Sequence, residues 1–254
     1  MQDHREFKSP PITEAIIDIQ VSAPELDVNK LNLAEKMEKK GFPECKHIFS
    51  QEFKLKSEGG KFVPDGDLER ALLGFRYDDE DHGYVAQFRL NGFTFSKIGD
   101  YRGWDDFRDK ALNAWAIYRD VIGDFKFSRL AVRFINILVL PKDRTGNVDL
   151  ENYLVNNPRV PEGLPNLFTN FFSKVDVRID DPSCIAVVTQ APTQAPQGKD
   201  EDGISIALDI DVYRTKVEGY SDKEAWEFIE RLRDIKNRAF LGSITGQTKE
   251  LIDQ

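Results

Sequence analysis

The chain has 254 residues, enough to bury a core as one large domain or two small ones, and 40% hydrophobic residues with 18 Phe and 7 Tyr mark a folded, sheet-rich protein. A net charge of -9, shared evenly between the halves, opposes nucleic acid as a partner, because gripping a phosphate backbone takes clustered Lys and Arg. No apolar run approaches the roughly 18 residues that span a bilayer, and the start MQDHREFKSPP lacks a charged-then-apolar leader pattern, so the expected setting is the cytoplasm, off the membrane, with Cys45 and Cys184 reduced.

Apolar and polar residues alternate from Ile12 to Val21, which predicts a first strand, and Pro10 and Pro11 precede it where no ladder donor is needed. A short helix is expected over 27–41, with Asp27 as its N-cap and Gly41 as its stop. Alternation returns at 47–56, 70–77, 83–90 and 93–98. The joints at 78–83 and at Asn91-Gly92 read as tight turns, so the last three of these strands form an antiparallel meander.

A long amphipathic helix is predicted from Trp104 to Ile122. It has Asp105 and Asp106 in its first turn, a stripe through Phe107, Ala111, Leu112, Trp115, Tyr118 and Ile122, and Gly123 beyond its end. The pattern then restarts with a strand over 129–141, a short helix over 149–156, and strands over 171–179, 184–190 and 204–213. The tract TQAPTQAPQGKDEDG at 189–203 reads as a loop. A last helix starts after Ser221, where S-D-K-E supplies a capping box with Glu224, and LGSIT at 241–245 reads as a break before a final amphipathic turn.

The restart has a counterpart in the residues themselves. AIIDIQV (15–21) aligns on RFINILV (133–139), which sets Ile17 on Ile135, Ile19 on Ile137, Val21 on Val139 and Asp18 on Asn136. At nearly the same spacing LDVNKL (26–31) falls on VDLENY (148–153), and Leu112 falls on Leu232. An internal duplication is therefore expected, with halves 1–124 and 125–254 joined in one globular unit of the α+β class. Each half reads as β-α-β(3-4)-α, an antiparallel sheet backed by one long helix. That order resembles the TATA-binding-protein-like and helix-grip-like folds, and it leaves the other sheet face for solvent, ligand or partner.

Chemistry-bearing residues are few. Cys45-Lys46-His47 offers two of the three or four ligands a zinc site needs, but Cys184, His82 and His4 have no converging spacing, so the cysteines are expected as small buried hydrophobes. Asp78, Asp79, Glu80 and Asp81 lack the alternating spacing of a calcium loop and read as a solvated hairpin tip. Serine-nucleophile and phosphate-loop patterns are missing. The expectation is no catalytic residue, no metal and no cofactor.

The stronger signal is polar residues on strands. Period two sets Arg76 opposite Phe75 and Tyr77, and Arg89 opposite Phe88 and Leu90, so an aromatic face packed on the helix turns these arginines outward. Glu14, Asp18, Arg76, Gln87, Arg89, Arg133 and Asn136 are the candidate binding face. Pairing of Glu14 or Asp18 with one of the arginines is expected to fix strand register, with Glu14 favoured because Asp18 has Asn136 as its counterpart in the repeat.

Four stretches, FKSPPITEA (7–15), AWAIY (114–118), RLAVRFIN (129–136) and FLGSIT (240–245), occur in order across nearly the whole chain. Together they resemble a sporadically distributed family of prokaryotic proteins of unknown function, with the pattern F-x-x-P-P-I-x-E-A, R-x-x-x-R-[YF]-x-N and S-[LI]-T. The glycine in LGSIT departs from it and leaves the end of the last helix open. The resemblance brings no catalytic residues. Its patchy distribution implies an accessory gene of a phage-defence, toxin-antitoxin or mobile locus, and so a protein partner encoded nearby. The expected function is non-enzymatic recognition. Two alternatives stand beside it: a helix-grip binder of a small or lipid-like molecule, with its cavity at the Phe-rich strands 75–95, and a metal-dependent hydrolase using Glu14, Asp18 or the acids at 78–81.

Overall fold

The computed structural model describes residues 7–52, 55–58, 61–64, 69–164, 169–196 and 203–253. Its strands are β1 (Ile12–Ser22), β2 (Glu44–Glu52), β3 (Leu55–Glu58), β4 (Lys61–Pro64), β5 (Glu69–Asp79), β6 (Tyr84–Arg89), β7 (Gly92–Ile98), β8 (Lys126–Pro141), β9 (Ser173–Asp180), β10 (Ser183–Thr193) and β11 (Gly203–Thr215). Apart from the separate β3-β4 pair they form one nine-stranded antiparallel sheet, in the order β2-β5-β6-β7-β1-β8-β11-β10-β9. The expected sheets of the two halves are thus one sheet, joined where β1 pairs with β8.

Period two decides what this sheet buries. Ala15, Ile17, Ile19 and Val21 of β1 point to the same side as Leu130, Val132, Phe134, Leu138 and Leu140 of β8, and all are buried there. Helix α2 (Trp104–Ile122) covers that side at β6 and β7, and α3 (Asp222–Ser243) covers it at β8, β11 and β10. One hydrophobic core runs through both halves. The helix α2 has the bounds read from its pattern, with Gly123 just past its end at φ 67°. Ser221 caps α3 through the expected box with Glu224.

Departures from the expected elements have local causes. The helix over 27–41 is broken into a 3-10 turn at Val28–Leu31 and a short α1 (Ala34–Glu38), because the Tyr77 hydroxyl takes the Leu33 N–H at 2.7 Å and donates to the Leu31 carbonyl. The helix over 149–156 shrinks to Leu150–Asn152, since Leu154 turns extended to bridge with Ile244. The β6-β7 hairpin turns through Leu90 and Asn91, one residue earlier than expected, and Gly92 is already paired with Arg89. A Cβ there would sit 2.4 Å from the Ile19 carbonyl oxygen, so a side chain would push β1 away. β2 begins earlier than the strand expected at 47–56 and ends at Glu52, and β10 extends to Thr193, so the expected loop at 189–203 is strand at its start. Its residues 197–202 lie outside the described residues. At the C-terminus α3 runs through Gly242, Ile244 extends, and Thr245 caps α4 (Gly246–Leu251), the expected break and final turn.

The alignment of the repeat fails in register. Ile17 and Ile19 are fully buried under the helices, whereas Ile135, Ile137 and Val139 lie half-buried on the opposite face, across from Asp209, Ala207 and Ser205. An even shift preserves faces only when both strands start on the same parity, and here they do not.

Candidate functional site

One cross-strand row spans all nine strands on the uncovered face: Lys46, Arg76, Gln87, Thr94, Asp18, Ala131, Tyr213, Ile185 and Arg178. Glu14, Arg89 and Arg133 share this face. Asn136 does not. It is buried on the helix side, where its amide donates to the Leu208 and Phe134 carbonyls, and it is corrected here from the binding-face candidates because β8 presents its even-numbered residues to the core.

Asp18 is the hub of the uncovered face. Its Oδ1 accepts from Arg89 Nη2 at 2.9 Å and Thr94 Oγ1 at 2.7 Å, and its Oδ2 accepts from Arg129 Nη1 at 2.8 Å. Arg129 Nη2 continues to Asp211 at 2.9 Å, and Arg133 forms a two-pronged pair with Asp209 at 2.8 and 2.6 Å. Burial raises the Asp211 pKa against the opposing pull of Arg129 and Arg133. The expected carboxylate-arginine pairing is therefore made by Asp18. Glu14, the favoured member, forms no ion pair or side-chain hydrogen bond among the described residues. Glu14→Ala is expected to change stability by no more than about 0.5 kcal/mol in urea unfolding, the usual range for a substitution outside the hydrogen-bond and ion-pair networks.

The remaining sequence candidates separate. Asp78 is not at a hairpin tip: it lies in β5, 3% exposed, and takes Arg76 Nε at 2.7 Å and Lys46 Nζ at 3.1 Å. Asp79 instead pairs with His82 at 2.9 Å. Cys45 is exposed, against expectation, because β2 is an edge strand, while Cys184 is buried. Among the described residues no three of His, Cys, Asp and Glu come together as a metal-holding group. The space expected as a cavity at strands 75–95 is filled by rings: Phe93 stacks on Phe95, and tilted or edge-on contacts join them to Phe88, Tyr118, Trp115 and Phe107 at centroid distances of 5.4 to 6.4 Å.

A cavity of about 220 Å³ opens elsewhere on the helix side, between the start of β1, the approach to α2 and the last turns of α3. Phe7, Pro10, Pro11, Trp104, Phe134 and Phe240 form its apolar wall. Asn136, Arg102, Arg233 and Lys236 supply its polar groups. Three of the four stretches that carry the family resemblance meet here; the AWAIY segment of α2 does not. Lys236 is 7% exposed, lies over the Phe134 ring at 3.7 Å from its centroid, and has no hydrogen bond or ion pair among the described residues. Burial, helped by the nearby Arg233 charge, pulls its pKa down to about 7. A sequence signal existed: Lys236 stands four residues after Leu232 and seven after Ile229, on the apolar stripe of α3 that faces the core.

Compared with protein-family models and with curated proteins, the chain matches none. No helix among the described residues is long and apolar enough to cross a membrane.

Proposed function

We propose that this chain is a non-enzymatic recognition protein of the TATA-binding-protein-like kind, two fused halves of one ancestral unit, and that it holds a small ligand with an anionic head and an aromatic or apolar body in the Lys236 cavity. The strand order supports the duplication. In the first half the last strand, β7, returns beside the first, β1; in the second half β11 returns beside β8 in the same way, and in each half a long helix follows the last strand. The recognition reading fits an uncovered face where Asp18, Arg89, Arg129, Arg133, Asp209 and Asp211 pair with one another, and a core with no convergent nucleophile, base and acid among the described residues.

The observation that carries the ligand is Lys236. An ammonium group in an apolar site costs several kcal/mol unless it is paired, and the wall around it is aromatic. A carboxylate or phosphate at Nζ would supply the missing partner, with Arg102 and Arg233 lining the same space. A cavity of about 150 Å³ accommodates one benzene ring, so 220 Å³ leaves room for a one- or two-ring acid. This departs from the helix-grip expectation in place, not in kind. The test uses indole-3-acetate and 3-phenylpropionate in isothermal titration at pH 6.5, with indole-3-acetamide as the neutral comparison. The acids are expected to bind saturably and the amide at least about tenfold more weakly, a difference of about 1.4 kcal/mol. Equal binding of acid and amide, or no binding of either acid, would sink the reading. A protein partner is the second reading, favoured by the edge strand β9, whose outer side no strand pairs with among the described residues.

A further inference from the structure

We propose that two copies of this chain join through β9, in an antiparallel register centred on Val177, so that their sheets run on as a single sheet of twice nine strands. The inference stands apart from the cavity and rests on the edge strand alone. β9 ends the sheet, and among the described residues no strand pairs with its outer side. Natural edges are blunted by bulges, prolines, brevity or charged side chains; the charges of β9 alternate in sign along one face, so a copy of the strand can match them. The opposite edge, β2, carries a register shift between Ile48 and Phe49, but β9 is a regular eight-residue strand, SKVDVRID, with no shift against β10. On the helix side of the sheet it leaves Val175 52% and Val177 44% exposed.

The residues of β9 choose the occupant. A two-fold axis normal to a sheet keeps each side chain on its own face, so a strand can pair with its copy only in registers centred on a residue. Centred on Val177, Lys174 meets Asp180, Asp176 meets Arg178, Val175 meets Ile179, and Val177 meets itself. Every charge on the uncovered face then has its opposite across the axis. Centring on Asp176 instead sets Lys174 against Arg178 and Asp176 against itself, and centring on Arg178 sets Asp176 against Asp180. Like charges directly opposite destabilise a sheet, and centring on Val175 or Ile179, which also opposes unlike charges, overlaps only 173–177 or 178–180 of the strand, so the Val177 register, overlapping 174–180, is the one that keeps both charge matching and length. In the single copy these groups pair, among the described residues, along their own strand, Lys174 to Asp176 at 3.7 Å and Arg178 to Asp180 at 3.2 Å, in exposed contacts of little worth. The other face supplies an apolar row from both copies, Val175, Val177 and Ile179, that water now touches.

The full chain should sediment as a dimer at equilibrium. Asp176→Lys, at a side chain 55% exposed and so harmless to the fold, should give monomer, and Asp176→Arg with Arg178→Asp should restore the dimer by exchanging the partners. In a Cys45→Ser background, Val177→Cys should form an interchain disulfide on mild oxidation, because paired Cα atoms lie about 4.5–5.5 Å apart. Val175→Cys should not, since in this register the two copies of that residue are separated by roughly 13 Å, four residues along the strand. Circular dichroism confirms that each variant is folded. A monomeric wild type, a dimer indifferent to Asp176→Lys, or disulfides forming equally at both cysteines would overturn the proposal. Asp176→Lys should bind indole-3-acetate as the wild type does, which keeps failure of this interface separate from failure of the cavity.

Discussion

Lys236→Met is expected to stabilise the protein by roughly 2–5 kcal/mol at pH 6.5, an unusual sign for a core substitution. Methionine has nearly the length of lysine and fills the same space over Phe134 without a charge to desolvate. The size follows from the shift of the lysine from its ordinary 10.5 to about 7, at about 1.4 kcal/mol per unit. Its direction with pH follows too. Between pH 7 and 10.5 the unfolded chain holds a proton that the native lysine has released, so wild-type stability rises with pH through that window. Below pH 7 both states are protonated and the whole cost is present.

The gap between variant and wild type should therefore shrink by about 1.4 kcal/mol per pH unit between pH 7 and 9, as read from urea unfolding at pH 6.5, 8 and 9. The charged or titratable groups around the cavity are Arg233 on α3, and Arg102 and Tyr101 before α2. Burial raises the Tyr101 pKa, so it stays neutral over this range. A gap that does not change from pH 6.5 to 9 would show that Lys236 is not the titrating group. The same variant should lose affinity for indole-3-acetate by at least about tenfold, so that stability and binding move in opposite directions, as at sites where function is held against stability.

Asp18→Ala is the second large effect, of ordinary sign: a loss of roughly 2–4 kcal/mol. The carboxylate is mostly buried and satisfies Arg89, Thr94 and Arg129 from three different strands, tying the first half of the sheet to the second. Its removal leaves two mostly buried guanidinium groups facing a hole, and Arg89 Nε is already without a partner. The double variant Asp18→Ala, Arg89→Met should recover part of the loss, because Arg89 is the arginine left without a carboxylate among the described residues, whereas Arg129 keeps Asp211. Urea midpoints for the two variants and for Glu14→Ala measure this directly. A loss below 1 kcal/mol for Asp18→Ala, or one equal to that of Glu14→Ala, would remove Asp18 from its place as the link between halves.

These two residues show how far the sequence could be read. Asp18 was visible as a carboxylate on a strand face with arginines, because alternation along β1, β5 and β6 sorts side chains into two faces wherever the strand lies. Which of Glu14 and Asp18 would find an arginine was not visible. Glu14 sits opposite exposed Ile98 near the end of β1, whereas Asp18 lies between Thr94 and Ala131 in mid-sheet, with Arg89 and Arg129 on either side. Lys236 was legible as an anomaly on the α3 stripe but not as a site, since the groups around it come from Pro10, Trp104 and Phe134, far apart in the chain.

What the sequence determined by itself was the extent of its long helix and the sorting of residues within its elements: the bounds of α2, the capping box of α3, and Arg76, Gln87 and Arg89 together on the side away from the aromatics. These are properties of neighbours along the chain, set by periods of 2 and 3.6 residues and by local hydrogen bonds. Tertiary structure alone decided that Asn136 turns inward while Ile135 turns outward, that two halves share one sheet through β1 and β8, and that Phe7, Pro11, Phe134 and Lys236 enclose one cavity. Such contacts depend on the parity and order in which strands pair, and a single residue of register exchanges one face for the other.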